Sequence, residues 1–108
     1  MSVDIAAELF RAQAGQAVEL LKALSNESRL LVMCYLADAG EMSVGELAGK
    51  IGLSQSALSQ HLGKLREEGL VQTRRQSQTI YYRVSDPKAV AVLMLLHDLF
   101  CPELGRDD

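Results

Sequence analysis

Apolar residues recur at three- and four-residue spacing through most of this chain, and the pattern changes once to short β-prone runs. From residue 4 to 24, Ile5, Leu9, Ala12, Val18, Leu21 and Leu24 mark the inward face of a first helix. Gly15 weakens that helix by about 1 kcal/mol and gives it room to bend. Ser25 and Asn26 supply a cap, and Glu27 sits in the next first turn, where negative charge suits the helix dipole. The second helix runs to about Ala37 through Leu30, Leu31, Met33, Cys34 and Leu36, and Asp38 to Met42 reads as a loop. Ser43 and Glu46 fit a capping box for a short third helix, with Val44, Leu47, Ala48 and Ile51 on one face. Gly52 breaks it, Leu53 plugs the corner, and Ser54 caps a fourth helix with Ala57, Leu58, Leu62 and Leu65 inward. Gly69 closes that helix. Val71 to Arg75 and Thr79 to Val84 are β-prone runs around a polar turn, Gln76-Ser77-Gln78, with one of Tyr81 and Tyr82 facing the core. Asp86 then caps a last helix with Pro87 at its first position. It runs through Val90, Leu93, Met94, Leu96, His97, Leu99 and Phe100 to Cys101, and Pro102 ends it ahead of an acidic tail.

The predicted class is mainly α with a small β-hairpin, in the order α-α-α-α-β-β-α. That is one winged helix-turn-helix domain over residues 1–108, with the helix-turn-helix at 43–70 and the wing at 71–84. Ala89, Val90, Val92, Leu93, Met94, Leu95 and Leu96 nearly encircle the last helix, more apolar surface than one small domain can bury. The first and last helices, residues 4–24 and 87–101, are therefore expected to form a homodimer. Two recognition helices would then meet successive turns of a palindromic duplex.

The net charge of −3 changes this picture only when it is divided. Residues 43–84 hold six Lys/Arg against three Glu, a local +3, so the remainder carries −6. The middle of the chain is the part fit to meet a polyanion. Facing out near the start of the fourth helix are Gln55, Ser56, Ser59, Gln60 and His61, with Lys64 a turn further on. Small hydroxyl and amide groups of this kind reach base edges and phosphates in a major groove. Arg74, Arg75 and Gln78 sit on or near the hairpin end, where basic wing residues suit the phosphate backbone. The other reading is a winged helix that binds only protein, against which the divided charge and the polar outward face speak.

With 48% hydrophobic and 23% charged residues the chain is globular. No basic start followed by an apolar run marks a leader, and no stretch reaches the ~18–20 apolar residues of a membrane span. The expected location is the cytoplasm. No nucleophile–base–orienter set, Gly-rich phosphate loop or CxxC pair points to an enzyme or to a cofactor. Cys34 and Cys101 remain as candidate chemistry. In a reducing compartment such a pair is regulatory or simply buried, and Cys34 among Leu31, Met33 and Leu36 also suits a small core residue.

The elements LSNESRL, VGELA, LSQSALSQHLGKLREEGLV and TRRQSQTIYY, in this order and spacing, resemble the ArsR/SmtB family of winged-helix repressors. The resemblance covers nearly all of the chain after the first helix. It implies a homodimer that represses by binding operator DNA and lets go when an inducer binds. Many members hold a metal through a Cys-x-Cys pair in the third helix, and here Met42 to Leu47 contains no cysteine. Others use a four-ligand set on the last helix, which here reads Asp86, Lys88, His97 and Phe100. Lys88 is cationic and Phe100 has no donor atom, so no metal ligand set is expected, and a metal-responsive repressor is the alternative. Within the family the chain is most similar to the BigR/SqrR/YgaV/HlyU group, whose two cysteines correspond to Cys34 and Cys101. The resemblance implies that this pair senses persulfides or oxidants, a small reactive sulfur inducer, by forming a di- or polysulfide link. His97, one turn before Cys101, is placed to lower its pKa, and fits equally well as a satisfied interface histidine.

Overall fold

A computed structural model of the chain describes the backbone of residues 2–100 and the side chains of residues 5–100. The elements are α1 (Ser2–Leu24), α2 (Glu27–Ala39), β1 (Met42–Ser43), α3 (Val44–Ile51), α4 (Gln55–Glu67), β2 (Val71–Gln76), β3 (Thr79–Val84) and α5 (Pro87–Phe100). Cys101, Pro102 and the acidic tail lie outside the described residues.

The core forms where one face of each of four helices converges. Val32, Met33 and Leu36 of α2, Leu47 of α3, Leu58, Leu62 and Leu65 of α4, and Ala89 and Leu93 of α5 are sealed from water. Ala23, Leu24, Leu70 and Val71 extend the cluster to the end of α1 and the root of the hairpin. Val32 belongs here although periodicity passes over it. Leu31 of the same helix is exposed.

Most helix ends match their sequence signals because each signal is a side chain satisfying a nearby backbone donor. Asn26 Oδ1 accepts the Arg29 N–H at 3.0 Å at the start of α2. The Ser43–Glu46 box is complete: Ser43 Oγ accepts the Glu46 N–H, and the Ser43 N–H donates to Glu46 Oε1. Asp86 Oδ1 accepts the Lys88 N–H at 2.9 Å. At the end of α4 the cap residue is Glu68, and Gly69 follows it at φ +78°. The Leu70 N–H reaches Leu65 O and the Gly69 N–H reaches Arg66 O, the bond pair of a Schellman ending.

Three expectations need correction. The sheet has three strands in the order β1-β3-β2, all antiparallel, not a lone hairpin. Residues 38–42 are not a loop: α2 continues to Ala39, Gly40 ends it at φ +87°, and Met42 and Ser43 pair with Tyr82 and Tyr81. The hairpin turn shortens to Ser77-Gln78, with Gln76 paired to Thr79, and Ser77 takes the positive φ that a tight two-residue turn needs. Of the two tyrosines, Tyr82 packs against the core and Tyr81 lies on the opposite sheet face.

Helix α1 departs furthest from its expected inward face, and α5 leaves much of its apolar surface uncovered. Every residue of α1 from 5 to 19 is exposed, including Ile5, Leu9 and Ala12, and so are Val18 and Leu21. On α5 the buried residues are Ala89 and Leu93, while Met94, Leu99 and Phe100 face solvent. Among the described residues, nine of the eleven exposed large hydrophobic side chains sit on α1 and α5. The periodicity is real, but its apolar stripe has no partner within the single chain.

Candidate nucleic-acid interface and the Cys34 cleft

Helices α3 and α4 form a hairpin whose corner is set by local chemistry. Gly52 adopts the left-handed conformation at φ +86°, which costs a residue without a Cβ nothing, and its N–H reaches Ala48 O at 2.9 Å. Two residues later Ser54 Oγ accepts the Ala57 N–H at 3.1 Å and starts α4. With Leu58, Leu62 and Leu65 buried, helical geometry turns the other side of α4 outward. Gln55, Ser56, Ser59, Gln60 and Lys64 are exposed, and His61 is half-buried at the edge. The unsatisfied N–H groups of the first turn add a positive potential at the same end.

The hairpin β2–β3 packs beside α4. Strand alternation puts Val71, Thr73 and Arg75 on the side facing the helices, and Gln72, Arg74 and Gln76 on the other. Arg75 lies beyond the core edge, exposed, with Ile80 opposite it. Gln78 is exposed in the turn. Arg74 is engaged differently. Its Nε–H donates to Glu41 Oε2 at 2.9 Å and Nη2 donates to Glu41 Oε1 at 2.8 Å. The hydrogen bond from Arg74 holds the Glu41 carboxyl below the ordinary carboxylate range, and the charges of Arg74 and Arg83 add to it. The same bond raises the Arg74 guanidinium above its usual value. Sequence reasoning missed Glu41, since its partner is 33 positions away and the strand beside it has two residues.

The cysteine of α2 lies elsewhere. Leu30, Leu31, Cys34, Tyr35 and Asp38 of α2 and Leu96, His97 and Phe100 of α5 line a cleft of about 430 Å³. Cys34 and His97 are both half-buried there. The walls are chiefly leucine and aromatic carbon, with Asp38 exposed. The other expected sensing residue, Cys101, follows Phe100 in the chain and lies outside the described residues. Asp86 serves as the cap of α5. Among the described residues, no three His, Cys, Asp or Glu side chains gather as a metal site, and no helix is long and apolar enough to cross a membrane.

A helical hairpin presenting a polar helix outward, followed by a basic two-stranded wing, defines a winged-helix DNA-binding protein. Comparison with known proteins agrees. The profile of the bacterial regulatory proteins of the arsR family matches residues 26–73. The transcriptional activator HlyU of Vibrio cholerae serotype O1 is 54% identical over 86 residues, 80% of this chain and 79% of that protein. The biofilm growth-associated repressor of Xylella fastidiosa is 45% identical over 91 residues, 84% of this chain and 79% of that protein. The solved structure of reduced HlyU from Vibrio cholerae N16961 aligns with a TM-score of 0.82 at 49% identity, covering 87% of this chain and 98% of that one. The chain belongs to the ArsR family of bacterial regulatory proteins. It is a DNA-binding transcriptional regulator, not an enzyme.

Proposed function

We propose that the chain is a homodimeric repressor whose grip on palindromic operator DNA is switched by sulfur chemistry at Cys34 and Cys101. In this reading α4 enters the major groove and offers Gln55, Ser56, Ser59, Gln60, His61 and Lys64, while Arg75 and Gln78 of the wing reach the flanking backbone. The exposed stripes of α1 and α5 meet their counterparts in a second copy. A dimer of this size represses by occupying the operator, with no further contact needed, and the Xylella fastidiosa relative carries the name of a repressor.

The observation that carries the switch is the cleft. Phe100 lines it together with Cys34, and one peptide unit, a Cα step of ~3.8 Å, separates Phe100 from Cys101. A direct disulfide needs the two Cα atoms within ~7 Å, and a longer sulfur chain relaxes that limit. One thiolate attacks the outer sulfur of an organic persulfide, RSSH, becoming Cys–S–SH and releasing RS⁻. The second thiolate then attacks the inner sulfur, closing Cys–S–S–Cys and expelling HS⁻. The link joins α2 to the chain just past α5, resets the spacing of the two recognition helices and lowers operator affinity.

The test uses a fluorescent duplex selected from a random pool by the reduced protein. Affinity is measured before and after an organic persulfide, beside mass spectrometry of the Cys34 and Cys101 peptides. Wild type should release the duplex and show the linked peptide pair, and Cys34→Ser should do neither. Release of Cys34→Ser as readily as wild type would overturn the switch. Addition of metals and chelators to the same assay tests the metal-responsive alternative.

A further inference from the structure

Arg74 sits on β2, on the sheet face turned away from the helices. Its guanidinium passes over the Tyr81 ring of β3, 4.8 Å from the centroid, and reaches Glu41 just before β1. One residue therefore spans all three strands. Its fork edge, Nε and Nη2, is filled by the Glu41 carboxylate, and Nη1 donates to Gln76 Oε1 at 2.8 Å. That edge is the one a phosphate would occupy in a bidentate contact. β1 is tied to β3 by two residues only, and its Ser43 is also the cap of α3. The clamp thus joins the wing to the point where the helix-turn-helix begins. Arg75, by contrast, lies on the helix side of the sheet, and among the described residues no hydrogen bond or ion pair engages its side chain.

We propose that Arg74 and Glu41 are positioning residues for DNA binding: their clamp across β3 fixes the wing relative to α4, and Arg75 is the wing cation that meets phosphate. The proposal rests on the DNA-binding reading of α4 and the wing. A wild-type protein that failed to bind duplex in a salt-dependent way would sink that reading. Changes confined to the variants address the clamp.

The experiment measures affinity for the selected duplex between 50 and 200 mM salt, with melting curves to show that each variant is folded. Arg74→Gln and Glu41→Gln should each weaken binding roughly five-fold at every salt concentration, as expected for loss of a coupling contact remote from the ligand. The log–log salt slope should stay at the wild-type value. The double variant should lose no more than either single one. Arg74→Lys, which keeps the charge without the fork, should not restore binding, while the charge-swapped pair Glu41→Arg with Arg74→Glu should regain part of it. Arg75→Gln should instead flatten the slope by about 0.9 for each phosphate given up, about 1.8 for a dimer. The proposal is overturned if Arg74→Gln flattens the slope as Arg75→Gln does, if Glu41→Gln tightens binding, or if neither clamp variant changes affinity.

Discussion

Ser54 lies where folding and DNA reading meet, and two substitutions there separate them. Its Oγ accepts the Ala57 N–H at 3.1 Å, one of the donors that α4 cannot satisfy internally. Ser54→Ala deletes that acceptor. Cap losses cost about 0.5–2 kcal/mol, and because Ser54 is exposed, water can solvate the released N–H, so the lower half applies, about 0.5–1 kcal/mol. For a domain near 100 residues that is a fall of roughly 2–8 °C in Tm, measured at fixed protein concentration because the proposed dimerisation would also contribute. Ser54→Asp keeps a capping oxygen and adds a negative charge at the positive end of the helix, a gain of about 0.3–1 kcal/mol. Its Tm should therefore match or exceed wild type. If α4 enters the groove by its N-terminal end, the same carboxylate meets phosphate, and duplex affinity should fall at least ~10-fold while the protein stays folded. Calorimetry and fluorescence anisotropy on the same samples give both readings. An Ser54→Asp protein that binds as tightly as wild type would refute the placement of this helix end at the duplex. An Ser54→Ala protein with unchanged Tm would refute the cap.

Two further outcomes follow from the surface. Leu9→Glu and Leu95→Glu place charges in exposed apolar stripes, so the single chain should keep its helix content by circular dichroism. A charge left unpaired in the interface should weaken dimerisation by about 2 kcal/mol or more, ~30-fold in Kd, seen by analytical ultracentrifugation. Glu41, whose carboxyl is held low chiefly by the Arg74 hydrogen bond, should titrate in a carbon-detected NMR series with a midpoint below 4.5, and Arg74→Gln should move it back toward the ordinary value. The sign is that of a depressed carboxylate: the clamp is complete above about pH 4.5 and is lost as pH falls through the lower folded-state value.

How much of this was legible in the sequence depends on how far each signal reaches. Ser43 with Glu46, Asn26 with Arg29 and Ser54 with Ala57 each act over three residues, so the residue types alone locate the helix starts. Gly52 and Gly69 do the same for two helix ends, each at a positive φ that few other residues accept. β1 escaped because two residues cannot show alternation and their partners, Tyr81 and Tyr82, come some forty positions later. The clamp escaped for the same reason, and Arg74 therefore read as one more wing cation beside Arg75. On α1, three- and four-residue spacing identified a helix but not what covers it, because an apolar stripe looks alike whether it faces its own core or another chain. For the cysteines, the local sequence left core packing and regulation both open. The cleft adds that Cys34 is half-buried beside the last described turn of α5.

Helix α2 connects these parts. One face supplies Val32, Met33 and Leu36 to the core, so the helix cannot slide without disturbing the cluster that also holds Leu58 and Leu62 of α4. Its neighbouring face carries Cys34 toward α5. Its end passes through Gly40 and Glu41 directly into β1, leaving little loop to absorb a displacement. A covalent link at Cys34 would therefore reach the DNA-facing surface by two routes, through α5 to the spacing of the dimer and through Glu41 to the angle of the wing. The Glu41→Gln protein distinguishes them. If persulfide still lowers its duplex affinity by the wild-type factor, the signal runs through dimer spacing, and a diminished factor assigns the difference to the wing.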